Sequence, residues 1–311
     1  MSKIPRMFPR TRMVNRNQQA QFDITIKGAS HSHWQDPYHL LLTLNWFWFF
    51  VAIAFFYLII NTVFALLYLA GGDCLENARP GSFADAFFFS VQTMASIGYG
   101  AMHPKTNYAN IIVTIEALVG LMALAMSTGL MFARFSLPSA KVLFSNVAVI
   151  TPYNGVPTLM LRAANKRRNQ ILEAQVRVSL LRDEVTQEGE FMRRFYDLEL
   201  VRSQTPIFAL TWTIMHQIDK NSPLYSVTLE SLIEEHSELV VILTGLDETV
   251  SQTIHARHSY IESEILWNQR FVHIFSKKRN GRWLIDYNHF HDVEAGEWGM
   301  GNGEWGMGNG E

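Results

Sequence analysis

The chain has 311 residues, with 26 Lys and Arg against 28 Asp and Glu, a formal charge of −2 and no basic excess that would suggest nucleic acid. Cys74 is its only cysteine, which excludes an intrachain disulfide and leaves only a bond between subunits. Hydrophobic residues make up 48% of it, but they are unevenly spread: Leu40–Gly72 contains no Asp, Glu, Lys or Arg, and Ala109–Ala133 contains only Glu116.

Residues 1–33 are polar and irregular and read as a flexible cytoplasmic N-terminus. No secretory signal is expected, because the first apolar run starts late and lacks a small-residue cleavage site. Residues 34–45 carry Trp34 and Tyr38 just ahead of that run, and aromatics of this kind favour the headgroup level. Asp36 then Pro37 fits an N-cap and first helical position. The segment reads as a helix lying along the inner membrane surface, or as the first turns of a longer one.

The first span is expected from Asn45 to Ala70, longer than the roughly 20 residues that cross a bilayer core. Gly71-Gly72-Asp73 makes a turn. Ser82 caps a helix through Thr93, rich in Phe83, Phe87, Phe88 and Phe89 and too short to span, so it should enter the membrane and return. Ser96-Ile97-Gly98-Tyr99-Gly100 follows. Two glycines around a tyrosine allow a backbone whose successive carbonyls point one way. Repeated about a symmetry axis, such a row can replace the hydration shell of a potassium ion. The short helix would aim the negative end of its dipole at the space below residue 96, favouring a cation there. Irregular backbone at this depth must face protein or water.

The second span, about Asn107 to Phe135, is rich in small residues such as Gly120, Ala123, Ser127 and Gly129, which permit close helix packing. Gly120 and Gly129 are bending points or packing sites. Leu124, Thr128 and Phe132 recur every four residues and share one helix face, which lines a pore or packs against lipid and neighbouring helices. Glu116 is either a buried structural partner behind the glycine-rich loop or an ion contact. Arg134 and Lys141 just beyond the span either meet anionic lipid headgroups or are a generic basic flank. Lys and Arg flank both spans on the outside of the pair, with only Arg79 and Lys105 between them, so both termini should be cytoplasmic.

Residues 137–295 read as mostly β. Strands are expected at 146–151, 158–163, 174–180, 191–201, 207–216, 238–244, 252–261, 271–277 and 282–287, with hairpins at Asn154-Gly155 and Asn280-Gly281 and one short helix at 228–236. Short strands with regular turns suggest a β-sandwich. Residues 296–311 hold a Gly-rich unit repeated from Glu297 and Glu304, read as a flexible tail outside the fold. His216, His236, His255, His258, His289 and His291 lack metal-ligand spacing and no nucleophile motif appears, so a membrane-tethered enzyme is disfavoured.

The stretches Phe87-Phe88-Phe89-Ser90-Val91-Gln92-Thr93 into Ser96–Gly100, Met102-His103-Pro104, Ser127–Phe135, Ser203-Gln204-Thr205-Pro206-Ile207-Phe208, Trp212 and His255-Ala256-Arg257-His258 together resemble a prokaryotic inwardly rectifying potassium channel of the KirBac type. The resemblance covers about 34–293. It implies a transmembrane pore domain at 46–136 followed by a cytoplasmic, immunoglobulin-like β-sandwich at 137–295, in a homotetramer of the bacterial inner membrane. It also implies no cofactor beyond the permeant potassium. By the same resemblance, carbonyls of Ser96, Ile97, Gly98 and Tyr99 would coordinate potassium, the Ser96 hydroxyl would complete the innermost site, and Phe132 would form the bundle-crossing constriction. Arg134 and Lys141 would sense phosphoinositide or other anionic lipid. Ser96 stands where relatives usually carry Thr, and Ala101 where an acid often follows, which keeps a less selective cation channel as the second reading. Leu124 replaces a carboxylate of strongly rectifying relatives, so strong rectification from that position is not expected.

Overall fold

The computed structural model describes residues 37–296 apart from 168, 278–280 and 282; the expectations for residues 1–33, the Asp36 cap, Asn280 and the repeat from Glu297 lie outside the described residues. The chain forms two compact units that divide between Leu137 and Pro138.

The first unit is helical, with its ends set by side-chain caps. Helix α1 (Pro37–Thr43) is separate from α2 (Trp46–Ala70), because Asn45 caps α2 by accepting from the Phe47 amide at 3.1 Å. The loop between α2 and the second long helix holds a two-residue ladder of β1 (Leu75–Glu76) with β2 (His103–Pro104). Between these strands lies α3 (Phe83–Met94), where Ser82 accepts from the Asp85 amide at 3.3 Å. The long helix α4 (Asn107–Phe135) is capped by Thr106, which accepts from the Ala109 amide at 3.2 Å. Phe64, Tyr68, Ala86, Phe89, Met94 and Ala109 form the core joining α2, α3 and α4. The most apolar windows of α2 and α4 are only 17% buried, so most of their surface requires lipid or further protein.

The second unit is a sandwich of two five-stranded sheets. Its strands are β3 (Val142–Phe144), β4 (Ala148–Tyr153), β5 (Val156–Asn165), β6 (Ile171–Val185), β7 (Phe191–Asp197), β8 (Gln204–Phe208), β9 (Thr211–Gln217), β10 (Glu238–Asp247), β11 (Gln252–Ile261) and β12 (Ile265–Trp267). Helix α5 (Leu229–Glu234), capped by Thr228, precedes β10. One sheet runs β11-β10-β6-β7 with β8 also on β6; the other runs β12-β4-β5-β3 with β9 also on β5. Alternation puts Val176, Val178 and Leu180 of β6 and Leu239, Val241 and Leu243 of β10 against Leu159, Leu161 and Ile214 of the opposite sheet. Small antiparallel pairs, β13 (Gln269–Phe271) with β16 (Val293–Ala295) and β14 (Phe275–Lys277) with β15 (Trp283–Ile285), finish the unit.

The β4–β5 hairpin turns at Asn154 and Gly155, both at positive φ (52° and 81°), as a type I′ turn requires. The single strand expected at 207–216 is two strands. β8 pairs with β6 and β9 with β5, so the chain changes sheets at Ala209-Leu210, a crossing that alternation alone does not mark. The strand expected at 191–201 stops at Asp197, after which the Leu198 amide still bonds the Val178 carbonyl at 2.9 Å.

Candidate functional site

Helix α3 delivers the chain to the segment Ser96–Gly100. The Ala95 amide bonds Val91 O at 3.0 Å and the Ser96 amide bonds Thr93 O at 3.0 Å, so the helix tightens as it ends. The amides of Ile97 and Gly98 then turn back to one acceptor, Gln92 O, at 2.8 and 3.4 Å. Ser96, Gly98 and Gly100 lie at φ 53°, 56° and 78°, so every second residue is left-handed. Alternation in the sign of φ works against continued helical winding of the chain. Glycine meets this demand at 98 and 100 without strain. At 96 an unbranched serine tolerates it better than a β-branched residue would. All five residues are exposed in the single chain, Tyr99 at 73%. The far end is tied by Asn77, whose side-chain amide donates to Ala101 O at 2.9 Å.

The loop around this segment is braced by ion pairs. The Arg79 guanidinium grips Asp85 at 2.9 and 2.8 Å, and Lys105 meets Asp73 at 2.9 Å. The hydrogen bond and charge of Asp73, aided by Glu76, hold the Lys105 ammonium above its usual value. Cys74 is buried with its thiol donating to Tyr68 O at 3.2 Å, so a bond to another subunit through it would require the loop to open.

Behind the segment lies a polar cluster that spacing alone did not reveal. Glu116 of α4 is fully buried and meets Tyr68 Oη of α2 at 2.5 Å and Ser90 Oγ of α3. Ser90 also lies 3.0 Å from Asn61 Oδ1, and Asn61 Nδ2 donates to Tyr57 O at 2.8 Å. Glu116 was visible as the one charge of its span; its partners lie on two other helices. One turn on, a β-carbon at Gly120 would fall 2.6 Å from Met94 O, so this glycine lets α4 touch the end of α3. Gly129 meets nothing within 4 Å in the single chain.

Leu124, Thr128 and Phe132 are all exposed on α4, Phe132 at 73%. The Thr128 hydroxyl bonds back to Leu124 O at 2.8 Å. Arg134 is only 8% exposed. It donates to Leu41 O at 2.9 Å and to Leu44 O, capping α1, and its guanidinium lies 4.6 Å from the Trp46 ring and 4.7 Å from that of Phe49. Its side chain is therefore engaged within the helical unit. Lys141 is exposed in the β unit. The described residues contain no group of His, Cys, Asp and Glu able to hold a metal ion.

A family profile described as the inward rectifier potassium channel C-terminal domain matches residues 142–299, and one described as ion channel matches 47–136. The inward rectifier potassium channel Kirbac3.1 of Paramagnetospirillum magnetotacticum is 50% identical over 278 residues, covering 89% of this chain and 94% of that one. The ATP-sensitive inward rectifier potassium channel 12 of Gallus gallus is 31% identical over 91% of this chain and 71% of its own. The inward rectifier potassium channel 4 of Rattus norvegicus is 36% identical over 71% and 52%.

Proposed function

The chain belongs to the inward rectifier potassium channel family, a membrane ion channel with two spans rather than an enzyme, and from this premise we propose that four copies surround one pore whose narrowest part is Ser96–Gly100. In this reading the carbonyls of Ser96, Ile97, Gly98 and Tyr99 from each copy stand in for the water around a dehydrated potassium ion. The observation that supports it most is the alternation of positive φ at 96, 98 and 100, with the amides of Ile97 and Gly98 held on Gln92. The exposure of this segment and of the Leu124, Thr128 and Phe132 face in a single copy agrees with a lining shared by several copies. Both termini are cytoplasmic, following the basic flanks of the spans.

Phe132 is the inner constriction, closing the pore by apolar contact and dewetting. Gly129, with free space around it, is the place where α4 bends; Gly120, packed on Met94, stays rigid. Because Arg134 holds the C-terminal end of α1, movement of α1 reaches the turn of α4 that carries Phe132. Lys141 is then the more accessible cation for an anionic lipid headgroup, phosphoinositide included. Leu124 offers no charge to hold a cationic blocker, so strong rectification does not arise at that position.

Rubidium uptake into potassium-loaded proteoliposomes tests the reading. Uptake should be blocked by barium and absent in Gly98→Ala, and Phe132→Ala should raise it several-fold. Uptake that ignores barium, or is unchanged in Gly98→Ala, rejects the assignment of the filter.

A further inference from the structure

The hydrogen atoms of the buried cluster can be counted. The Asn61 amide is oriented by Nδ2, which donates to Tyr57 O at 2.8 Å and faces Met94 Sδ at 3.4 Å; the flipped amide would set two carbonyl oxygens against each other. Asn61 Oδ1 is therefore an acceptor, and the group facing it is Ser90 Oγ at 3.0 Å. A serine hydroxyl has a single hydrogen. If that hydrogen goes to Asn61, the close contact between Ser90 Oγ and Glu116 Oε1 needs a hydrogen from Glu116 itself. Tyr68 Oη donates to the other carboxyl oxygen, Oε2, at 2.5 Å. The complete chain then runs Tyr68 to Glu116, Glu116 to Ser90, Ser90 to Asn61 and Asn61 to the Tyr57 carbonyl, with a donor for every acceptor. With an ionised Glu116, either Asn61 Oδ1 or one carboxylate oxygen faces a bare oxygen, in a site from which water is excluded and in which, among the described residues, no cation pairs with the carboxylate.

We infer that Glu116 is held as a neutral carboxylic acid whose proton bridges to Ser90, and that this neutral donor is a positioning residue for the ion-selective segment. The link is short. Ser90 and Met94 lie on the last turns of α3, and Gln92 between them holds the amides of Ile97 and Gly98. Glu116 ties that turn to α4, four residues before the close contact of Gly120 with Met94 O, while Tyr68 and Asn61 tie it to α2. The cluster sets the place of α3 and, through Gln92, the direction of the carbonyls. It touches no ion. The inference rests on the reading of Ser96–Gly100 as the filter.

Glutamine reproduces the required pattern: its amide NH2 can donate to Ser90 Oγ while its carbonyl accepts from Tyr68. The full-length channel in liposomes is therefore measured as wild type, Glu116→Gln, Glu116→Ala and Ser90→Ala, reading the sodium-to-rubidium permeability ratio rather than the amount of flux. Infrared spectra of wild type and Glu116→Gln supply an independent readout. Glu116→Gln should keep the wild-type ratio. Glu116→Ala and Ser90→Ala should raise the relative sodium permeability by about tenfold, the effect of one unmade buried hydrogen bond. The wild type should show a protonated-carboxyl band that vanishes in Glu116→Gln. If Glu116→Gln fails to assemble or loses selectivity, or if its spectrum loses carboxylate bands instead, the neutral-acid assignment is overturned. If Glu116→Ala and Ser90→Ala both assemble and select normally, the positioning role is overturned. A wild type that does not discriminate rubidium from sodium would reject the filter reading itself, while the infrared result would still decide the state of Glu116.

Discussion

The helical unit and the β unit satisfy their buried carboxyl groups in different ways. In the β unit, charge is answered by charge near the surface: the nearly buried Asp247 receives the half-exposed Arg167 at 3.0 Å and Asn169 at 2.7 Å, and Glu184 is shared by Arg194 and Tyr196. Burial alone would raise the Asp247 carboxyl, but the bonds from Asn169, the Thr249 amide and Arg167 together hold it below the usual carboxylate range. The buried cations are held alike, Arg134 of the helical unit and Arg162 of the β unit each on carbonyl oxygen and aromatic rings, but the buried acid Glu116 of the helical unit has hydroxyls as partners. The difference follows from the solvent. Water beside the β sandwich lowers the cost of an ion pair, whereas a span has no such help and is better served by backbone oxygens and neutral donors.

The sharpest way to test this contrast is in the helical unit, which holds the proposed filter. Gly98→Ala forces an alanine to φ 56°, costing about 1–2 kcal/mol in each copy, and rubidium uptake should fall at least about a hundredfold. Gly120→Ala places a methyl 2.6 Å from Met94 O; overpacking of about 1–3 kcal/mol should lower the melting temperature and weaken rubidium-over-sodium selectivity. Arg134→Met removes the donors to Leu41 and Leu44, a loss of about 1–3 kcal/mol, and should speed hydrogen exchange across residues 37–44. Arg134→Lys should restore only part of the protection, since an ammonium lacks the flat fork that spans two carbonyls.

In the β unit the same kind of change should be milder and leave selectivity alone. Asp247→Asn weakens a pair whose Arg167 is 38% exposed, so about 1 kcal/mol and a few degrees of melting temperature are expected, with an unchanged permeability ratio. A loss of selectivity would break the separation between the units. The smallest effect concerns His216, buried with Nδ1 2.6 Å from Glu199 O and Nε2 2.7 Å from Ser222 Oγ. Burial holds its pKa below the usual 6.5. The folded state therefore takes up a proton less readily than the unfolded chain. The resulting stability is full above the ordinary histidine value and is lost as the pH falls from there toward the lowered one. Melting should drop by a few degrees between about pH 7 and pH 5, and by less in His216→Gln.

The sequence was most readable where one segment determines its own structure. Ser82 caps the helix that follows it, as its hydroxyl predicts, and Asn154-Gly155 makes its own turn. The glycines of Ser96–Gly100 carry their conformational meaning in their identity. Features built from distant segments were hidden. The strands Gln204–Phe208 and Thr211–Gln217 share one apolar run but join different sheets, and β12 lies parallel to β4. The Glu116 cluster joins positions from three helices, and no spacing links Asn61 and Tyr68 to Ser90. Arg134 read as a lipid contact or a basic flank because its partners are main-chain carbonyls, which every sequence supplies.

The reversal potential of the purified protein in a planar bilayer, with potassium on one side and sodium on the other, tests the central assignment most directly. Carbonyls set by the left-handed turns at Ser96, Gly98 and Gly100 predict a potential close to that of a potassium electrode, with the current itself lost in Gly98→Ala. A wild-type potential near zero, with potassium and sodium passing equally, would contradict it.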